Sequence, residues 1–383
     1  MPSLDRYAAA KLAELDRRHL RRSLQDTFRE DGIWVERNGR RLLSFSCNDY
    51  LNLTQHPKVK RAAMAALERY GAGSGASRLV TGNHPLYAEL EARLARIKDA
   101  EAAVVFGSGY LANSGIIPVL IGRDGLVLLD ELSHACIYAG AQLSRGKVAT
   151  FRHNDVGHAR ELLAAHRNEH DHALLVTDGV FSMDGDLAPL AELNALAREH
   201  DAWLMSDDAH GLGVVGGGRG SSFSGGKHVD VPLQMGTLSK AIGAYGGYLC
   251  ASGPAIELMR NRARTLIYST GLPPAIVAAA IAALDVIESE PDYAALPVQK
   301  ARRFTRLTNL PEASSPIVPV VIGDEEETLA ASELLAAQGF LAAAIRPPTV
   351  PAGTARLRLT FTAQHPDEAI ERLAALVRDK ILQ

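Results

Sequence analysis

From residue 85 onward the chain alternates short apolar runs with amphipathic stretches, and few folds accept that pattern. Residues 85–98, 110–121, 158–168 and 189–200 carry helical spacing, while 102–106, 126–129, 173–177, 203–206 and 231–235 read as strands. Strands this apolar must be covered on both faces, and the intervening helices supply the cover. The expectation is an α/β fold: a large domain with a mainly parallel sheet flanked by helices. Ligands of such sheets gather beyond the carboxyl ends of the strands.

The flanking segments read differently. Residues 4–24 show helical spacing, and Asn38-Gly39 between two apolar runs signals a hairpin. Residues 57–70 form an Ala-rich helix with Pro57 in its first turn. Beyond residue 285 the texture changes: a strand at 316–322, a helix at 325–338, a strand at 355–361 alternating charged and apolar residues, and a helix at 366–381. This predicts a smaller α+β C-terminal domain. The division expected is 1–50 for the N-terminal helix and hairpin, 51–285 for the large domain and 286–383 for the small one.

Charge narrows the function classes. Lys and Arg total 41 against 44 Asp and Glu, a net charge of −3. Such a balance argues against binding nucleic acid or an anionic membrane. The basic run from Arg17 to Arg22 reads as a solvated helix face. No run reaches the roughly 20 apolar residues of a membrane span; the nearest, 275–284, reads as a buried helix, and the first residues lack the apolar centre of a signal peptide. Cys47, Cys136 and Cys250 are far apart and form no C-x-x-C, which excludes a disulfide framework and a cysteine-rich zinc site and suits a reducing cytoplasm.

Reactive residue types sit where strands end. Gly107-Ser108-Gly109-Tyr110-Leu111-Ala112 follows a strand and opens a helix, so backbone amides there can hold a phosphate. With Asp130 about twenty residues on, the same string also fits a nicotinamide-dinucleotide fingerprint. Asp207-Asp208-Ala209-His210 closes another strand, where the acid can pair with a protonated ring nitrogen, bind a metal or orient a base. Thr237-Leu238-Ser239-Lys240 closes a third, and a lysine there can form a Schiff base if its pKa is depressed. His134 and Ser182 are weaker candidates on loops. Arg346, braced by Pro347, Pro348 and Pro351, offers a fixed fork for a carboxylate.

Taken together, Ser46-Cys47-Asn48-Asp49-Tyr50-Leu51, Gly179-Val180-Phe181-Ser182-Met183-Asp184-Gly185-Asp186, Asp207 to Gly211, Thr237 to Lys240 and Arg356-Leu357-Arg358-Leu359-Thr360 resemble the α-oxoamine synthases. These are pyridoxal-phosphate enzymes of the aspartate-aminotransferase-like fold (fold type I). Residues 345–354 look like the branch that condenses L-alanine with a pimeloyl thioester, on CoA or an acyl-carrier protein, in biotin synthesis. The chain departs from the family pattern at Cys47, Tyr87 and Leu212.

The resemblance implies residue roles. Lys240 would carry pyridoxal 5'-phosphate, Asp207 would pair with its ring nitrogen, His210 would bond its phenolic oxygen, and His134 would stack on the ring. Ser182 would contact the cofactor, and Gly109, Tyr110 and Thr237 would hold its phosphate. Arg346 would bind the amino-acid carboxylate with Thr349 nearby, and Arg21 would face substrate. Lys240, His134, Asp207 and His210 would be the catalytic set. The family also implies a homodimer with sites at the interface, where Thr270 would reach the neighbour's phosphate. The alternatives are another α-oxoamine synthase, such as one joining glycine to acetyl-CoA, a nicotinamide-dependent oxidoreductase, and a non-enzymatic interaction protein.

Overall fold

A computed structural model describes residues 2–17, 20–21, 24–30 and 32–382. Fourteen strands are defined among them: β1 Phe28–Arg29, β2 Trp34–Arg37, β3 Arg40–Ser44, β4 Ala102–Phe106, β5 Leu126–Asp130, β6 Lys147–Phe151, β7 Ala173–Asp178, β8 Trp203–Asp207, β9 Leu233–Thr237, β10 Gly247–Ala251, β11 Ile317–Gly323, β12 Phe340–Leu341, β13 Ala343–Ile345 and β14 Ala355–Thr360.

The large sheet has the order β4-β10-β9-β8-β7-β5-β6. The pairs from β6 through β9 are parallel, and β10 runs antiparallel between β4 and β9. Every residue of β5, β7, β9 and β10 is buried, the burial that layers on both faces produce. Asp130, Asp178, Asp207 and Thr237 are the last residues of β5, β7, β8 and β9. Parallel pairing therefore collects three carboxylates and a hydroxyl along one edge.

The expected helices at 57–70, 85–98 and 189–200 are present as Pro57–Tyr70, Pro85–Lys98 and Leu190–Glu199. The 275–284 run lies in the helix Pro274–Ser289, which packs against Pro57–Tyr70. Strand β9 starts two residues later than expected, because Pro232 has no N–H to enter the ladder. The first helix spans Ser3–Arg17 and buries no side chain; part of the expected 4–24 stretch lies outside the described residues. The sequence reading missed β6, β10 and the helices Ala135–Ser144, Gly253–Arg262 and Pro291–Thr308.

The smaller unit holds the antiparallel sheet β11-β14-β13. The N-terminal hairpin joins it: β3 pairs in parallel with β12, and Ile33, Leu43 and Phe45 share one core with Phe340, Leu357 and Val377. The chain thus crosses between units twice, and Asn48 and Tyr50 lie on the first crossing.

Candidate active site

One cavity of about 180 Å³ opens at the carboxyl edge of the large sheet. Gly109, Tyr110, His134, Asp207, His210, Thr237 and Lys240 all line it, so the structure brings together seven residues separated by up to 131 positions, 240 minus 109, in the chain. Ser182 and Thr349 line an adjoining cavity of about 590 Å³ that shares His134. Arg21 and Arg346 sit apart from both, in a cleft with Asp16 and Glu325, where Arg21 pairs with Asp16 at 2.8 Å. Thr270 bridges to Ser77 and lines a separate small cleft with Tyr87.

One end of the cavity suits an anion. Ser108 caps the helix Gly109–Leu120, its Oγ accepting from the Leu111 N–H at 3.2 Å. The first turn beyond the cap presents amides and a positive dipole end at Gly109 and Tyr110. Strand β10 passes so close that a Cβ on Gly247 would collide with the Ser108 carbonyl, which is why that position has no side chain. Across the strand, Thr237 Oγ1 donates to the Gly246 carbonyl at 2.7 Å and lies 2.8 Å from Ser239 Oγ.

The opposite end suits a protonated ring nitrogen. Asp207 is buried, with Oδ2 accepting from Asn113 Nδ2 at 2.7 Å and Oδ1 from the Ala209 N–H at 3.0 Å. Burial pushes its carboxyl upward, and the Asn113 donation opposes that push. Its cross-strand neighbour Asp178 is raised well above the carboxylate range, first by burial and then by the charge of Asp207. Asp178 also accepts the His134 N–H at 2.9 Å and so fixes the loop that carries this histidine.

Between these ends lie the nitrogen groups. Burial, reinforced by the positive charge of Arg358, holds Lys240 below the ordinary lysine range, which favours its neutral amine. Burial likewise holds His210 well below its usual value, so its ring is neutral. His210 Nδ1 lies 2.7 Å from Tyr50 Oη, and burial pushes that phenol up to about 12, so Tyr50 keeps its proton to donate. When Tyr50 donates that proton to Nδ1 rather than to Asn48 Oδ1, Nε2 carries the N–H of the ring.

Three functional residues were not singled out from sequence. Arg358 on β14 is buried; its Nε donates to the Ser182 carbonyl and its Nη1 to Asn48 Oδ1 at 3.1 Å. Its Nη2 is buried with no hydrogen-bond partner among the described residues. Asn48 also lies 3.3 Å from Tyr50 Oη, so the string from Ser46 to Leu51 ties His210 to Arg358. That string had been read as a family marker without roles for Asn48 and Tyr50. Asp130, the acid of the dinucleotide reading, is instead committed to the Leu132 and Asn154 amides and to His153.

Comparison with known proteins agrees with this geometry. The family model "Aminotransferase class I and II" matches residues 40–377. An 8-amino-7-oxononanoate synthase of Methylocella silvestris is 68% identical, over 90% of this chain and 98% of that protein. One from Beijerinckia indica is 61% identical over 98% of each. The chain belongs to the 8-amino-7-oxononanoate synthases, within the class I and II aminotransferase family. A serine palmitoyltransferase from S. paucimobilis, solved with bound PLP and myriocin, superimposes with a TM-score of 0.92 at 29% identity, over 99% of this chain and 98% of that one.

The residues of this synthase-family cavity fit pyridoxal phosphate. An amine whose pKa is lowered, a buried acid for a ring nitrogen, a neutral imidazole with an N–H and a capped helix N-terminus are the donor set that the group requires. Two of the family departures leave this set intact. Leu212 is core, and Tyr87 accepts the Leu272 N–H.

Proposed function

We propose that the chain is an 8-amino-7-oxononanoate synthase that condenses L-alanine with a pimeloyl thioester, on CoA or an acyl-carrier protein, with loss of carbon dioxide. The observation that carries the reading is Lys240, its pKa lowered by burial, in one cavity with Asp207 and His210 at the carboxyl edge of the sheet. Identities of 61% and 68% to 8-amino-7-oxononanoate synthases support the substrate pair.

In this reading Lys240 would hold pyridoxal 5'-phosphate, Gly109, Tyr110 and Thr237 would bind its phosphate, and His134 and Ser182 would contact it. When bound, the cofactor supplies an electron sink for the pair released at the amino-acid Cα. Asp207 would keep a proton on the ring nitrogen, and His210 would hydrogen-bond the phenolic oxygen. Lys240 Nζ, its pKa lowered by burial, would take the Cα proton and later return one. Arg358 would orient the amino-acid carboxylate through its unpartnered Nη2 and so select which bond at Cα breaks. The expected carboxylate ligand, Arg346, lies with Arg21 in the neighbouring cleft, and we assign that pair, with Thr349, to the acyl thioester side.

Two finer points belong to the same proposal. Tyr110, beside the cavity, is 56% exposed, and Leu79, Val80, Tyr245 and Tyr268 are exposed as well. Apolar surface near a site supports a homodimer with Thr270 at the interface. No described helix is long and apolar enough to cross a membrane, which supports a cytoplasmic location.

The test is a direct comparison of substrates. Purified protein given L-alanine and pimeloyl-CoA should release carbon dioxide and 8-amino-7-oxononanoate, identified by mass. Faster turnover with glycine and acetyl-CoA, or with serine and palmitoyl-CoA as the serine palmitoyltransferase likeness would favour, overturns the substrate assignment.

A further inference from the structure

In the wall of the cavity two buried groups, Asn113 and the lining residue Cys136, join two residues that the chemistry uses separately. Asn113 lies on the helix Gly109–Leu120 and is fully buried. Its Nδ2 donates to Asp207 Oδ2 at 2.7 Å and also to Cys136 Sγ at 3.1 Å. Cys136 Sγ in turn lies 2.8 Å from His134 Nδ1. The order is Asp207, Asn113, Cys136, His134, drawn from β8 and two different helix starts.

We propose that Asn113 and Cys136 are positioning residues for the reaction: they form one hydrogen-bonded bridge that orients Asp207 and holds His134 as its Nε2–H tautomer. The inference rests on the reading of Asp207 as the partner of the cofactor's ring nitrogen.

The direction of each bond follows from chemistry. An ionised carboxylate only accepts, so the Asn113 amide must turn its NH2 toward Asp207; the reverse orientation would press Oδ1 against the acid. The same NH2 group reaches Cys136, making the sulfur an acceptor. Burial pushes the Cys136 thiol up to about 12, so it keeps its own proton. That proton has His134 Nδ1 in reach. Nδ1 also accepts the Cys136 backbone N–H at 3.3 Å, as the cap of the helix Ala135–Ser144. A nitrogen that takes two donors carries no proton of its own, so the ring bears its hydrogen on Nε2.

The consequence is that the histidine covering the cofactor and the acid pairing with it are set by one scaffold. A serine at position 136 would preserve the bridge, because a hydroxyl can accept from Asn113 and donate to Nδ1. An alanine would leave an Asn113 N–H without its acceptor.

The experiment uses 15N-histidine-labelled full-length protein, with and without pyridoxal phosphate. The 15N shifts of His134, assigned with His134→Gln, should show Nδ1 unprotonated and Nε2 protonated in wild type and in Cys136→Ser, and a mixed population in Cys136→Ala. Asn113→Ala and Asn113→Ser should weaken pyridoxal-phosphate affinity by roughly tenfold or more, the usual loss when a charged hydrogen bond is removed; Cys136→Ser should retain wild-type affinity. A protonated Nδ1 in the wild-type protein overturns the proposal. So do Asn113 variants that bind the cofactor like wild type while Asp207→Ala does not. If Asp207→Ala also binds like wild type, the reading of Asp207 fails first and the bridge falls with it.

Discussion

His153 should make the stability of this protein depend on pH in a window where most side chains are silent. Its Nδ1 lies 3.1 Å from Asp130 Oδ1 and its Nε2 2.8 Å from Asp186 Oδ2. Burial alone would lower its pKa, but the hydrogen bonds to Asp130 and Asp186 overcome that and raise it from 6.5 to about 10. The ring is therefore an imidazolium at neutral pH, clamped between the end of β5 and the loop that carries Ser182. A cation with a raised folded pKa contributes its full stability below the unfolded pKa. The contribution declines as pH climbs from about 6.5 and is gone above about 10.

The span between those two values corresponds to a ceiling of about 5 kcal/mol at 1.36 kcal/mol per unit. Asp186 is 42% exposed, so solvent screens half of the clamp, and about 2–3 kcal/mol is the working figure. The assay is urea unfolding of wild type and His153→Gln at fixed protein concentration, from pH 6 to 9.5. Wild type should lose about 2–3 kcal/mol more than the variant across that range, since other titrations cancel in the difference. Parallel pH profiles for the two proteins would refute a charged clamp.

Three further outcomes are expected. Borohydride reduction of protein loaded with pyridoxal phosphate, followed by peptide mapping, should place the label on Lys240, and Lys240→Ala should take up none; label elsewhere refutes the assignment. Asp207→Ala should lose most turnover, whereas Asp208→Ala should chiefly lose stability, by about 3–5 kcal/mol in chemical unfolding, because it strands buried Lys98, its partner at 2.7 Å. Arg358→Lys should weaken alanine binding roughly ten- to a hundredfold in a titration, through loss of the fork, while Arg346→Lys changes it less; the reverse order would return the carboxylate to Arg346.

The large domain was legible in the sequence because burial on both faces writes itself as uninterrupted apolar runs. β4, β5, β7 and β8 lie where those runs end, and Asp207, Thr237 and Lys240 follow from strand ends alone. β6 was missed because it is an edge strand: Lys147, Val148 and Thr150 are exposed, so nothing in its residues marks a layer above or below. β10 was missed because an antiparallel strand inserted between β4 and β9 has no crossover helix to announce it.

Tertiary structure alone decided which arginine is buried close enough to act on Lys240. The alternation Arg356-Leu357-Arg358-Leu359 reads locally as a strand with one face in water, yet all six residues of β14 are buried. The outer face is covered by residues far away in sequence: Asp184 pairs with Arg356, and the Ser182 carbonyl and Asn48 hold Arg358. Arg346 carried a stronger local signal in its prolines and lies in another cleft. Periodicity records how often a side chain turns toward an interior, and it holds no information on what arrives from 172 or 310 residues away to form that interior. That is why the parallel sheet and its strand-end residues belong to the sequence, whereas the hairpin's place beside β12 and the burial of Arg358 belong to the assembled fold.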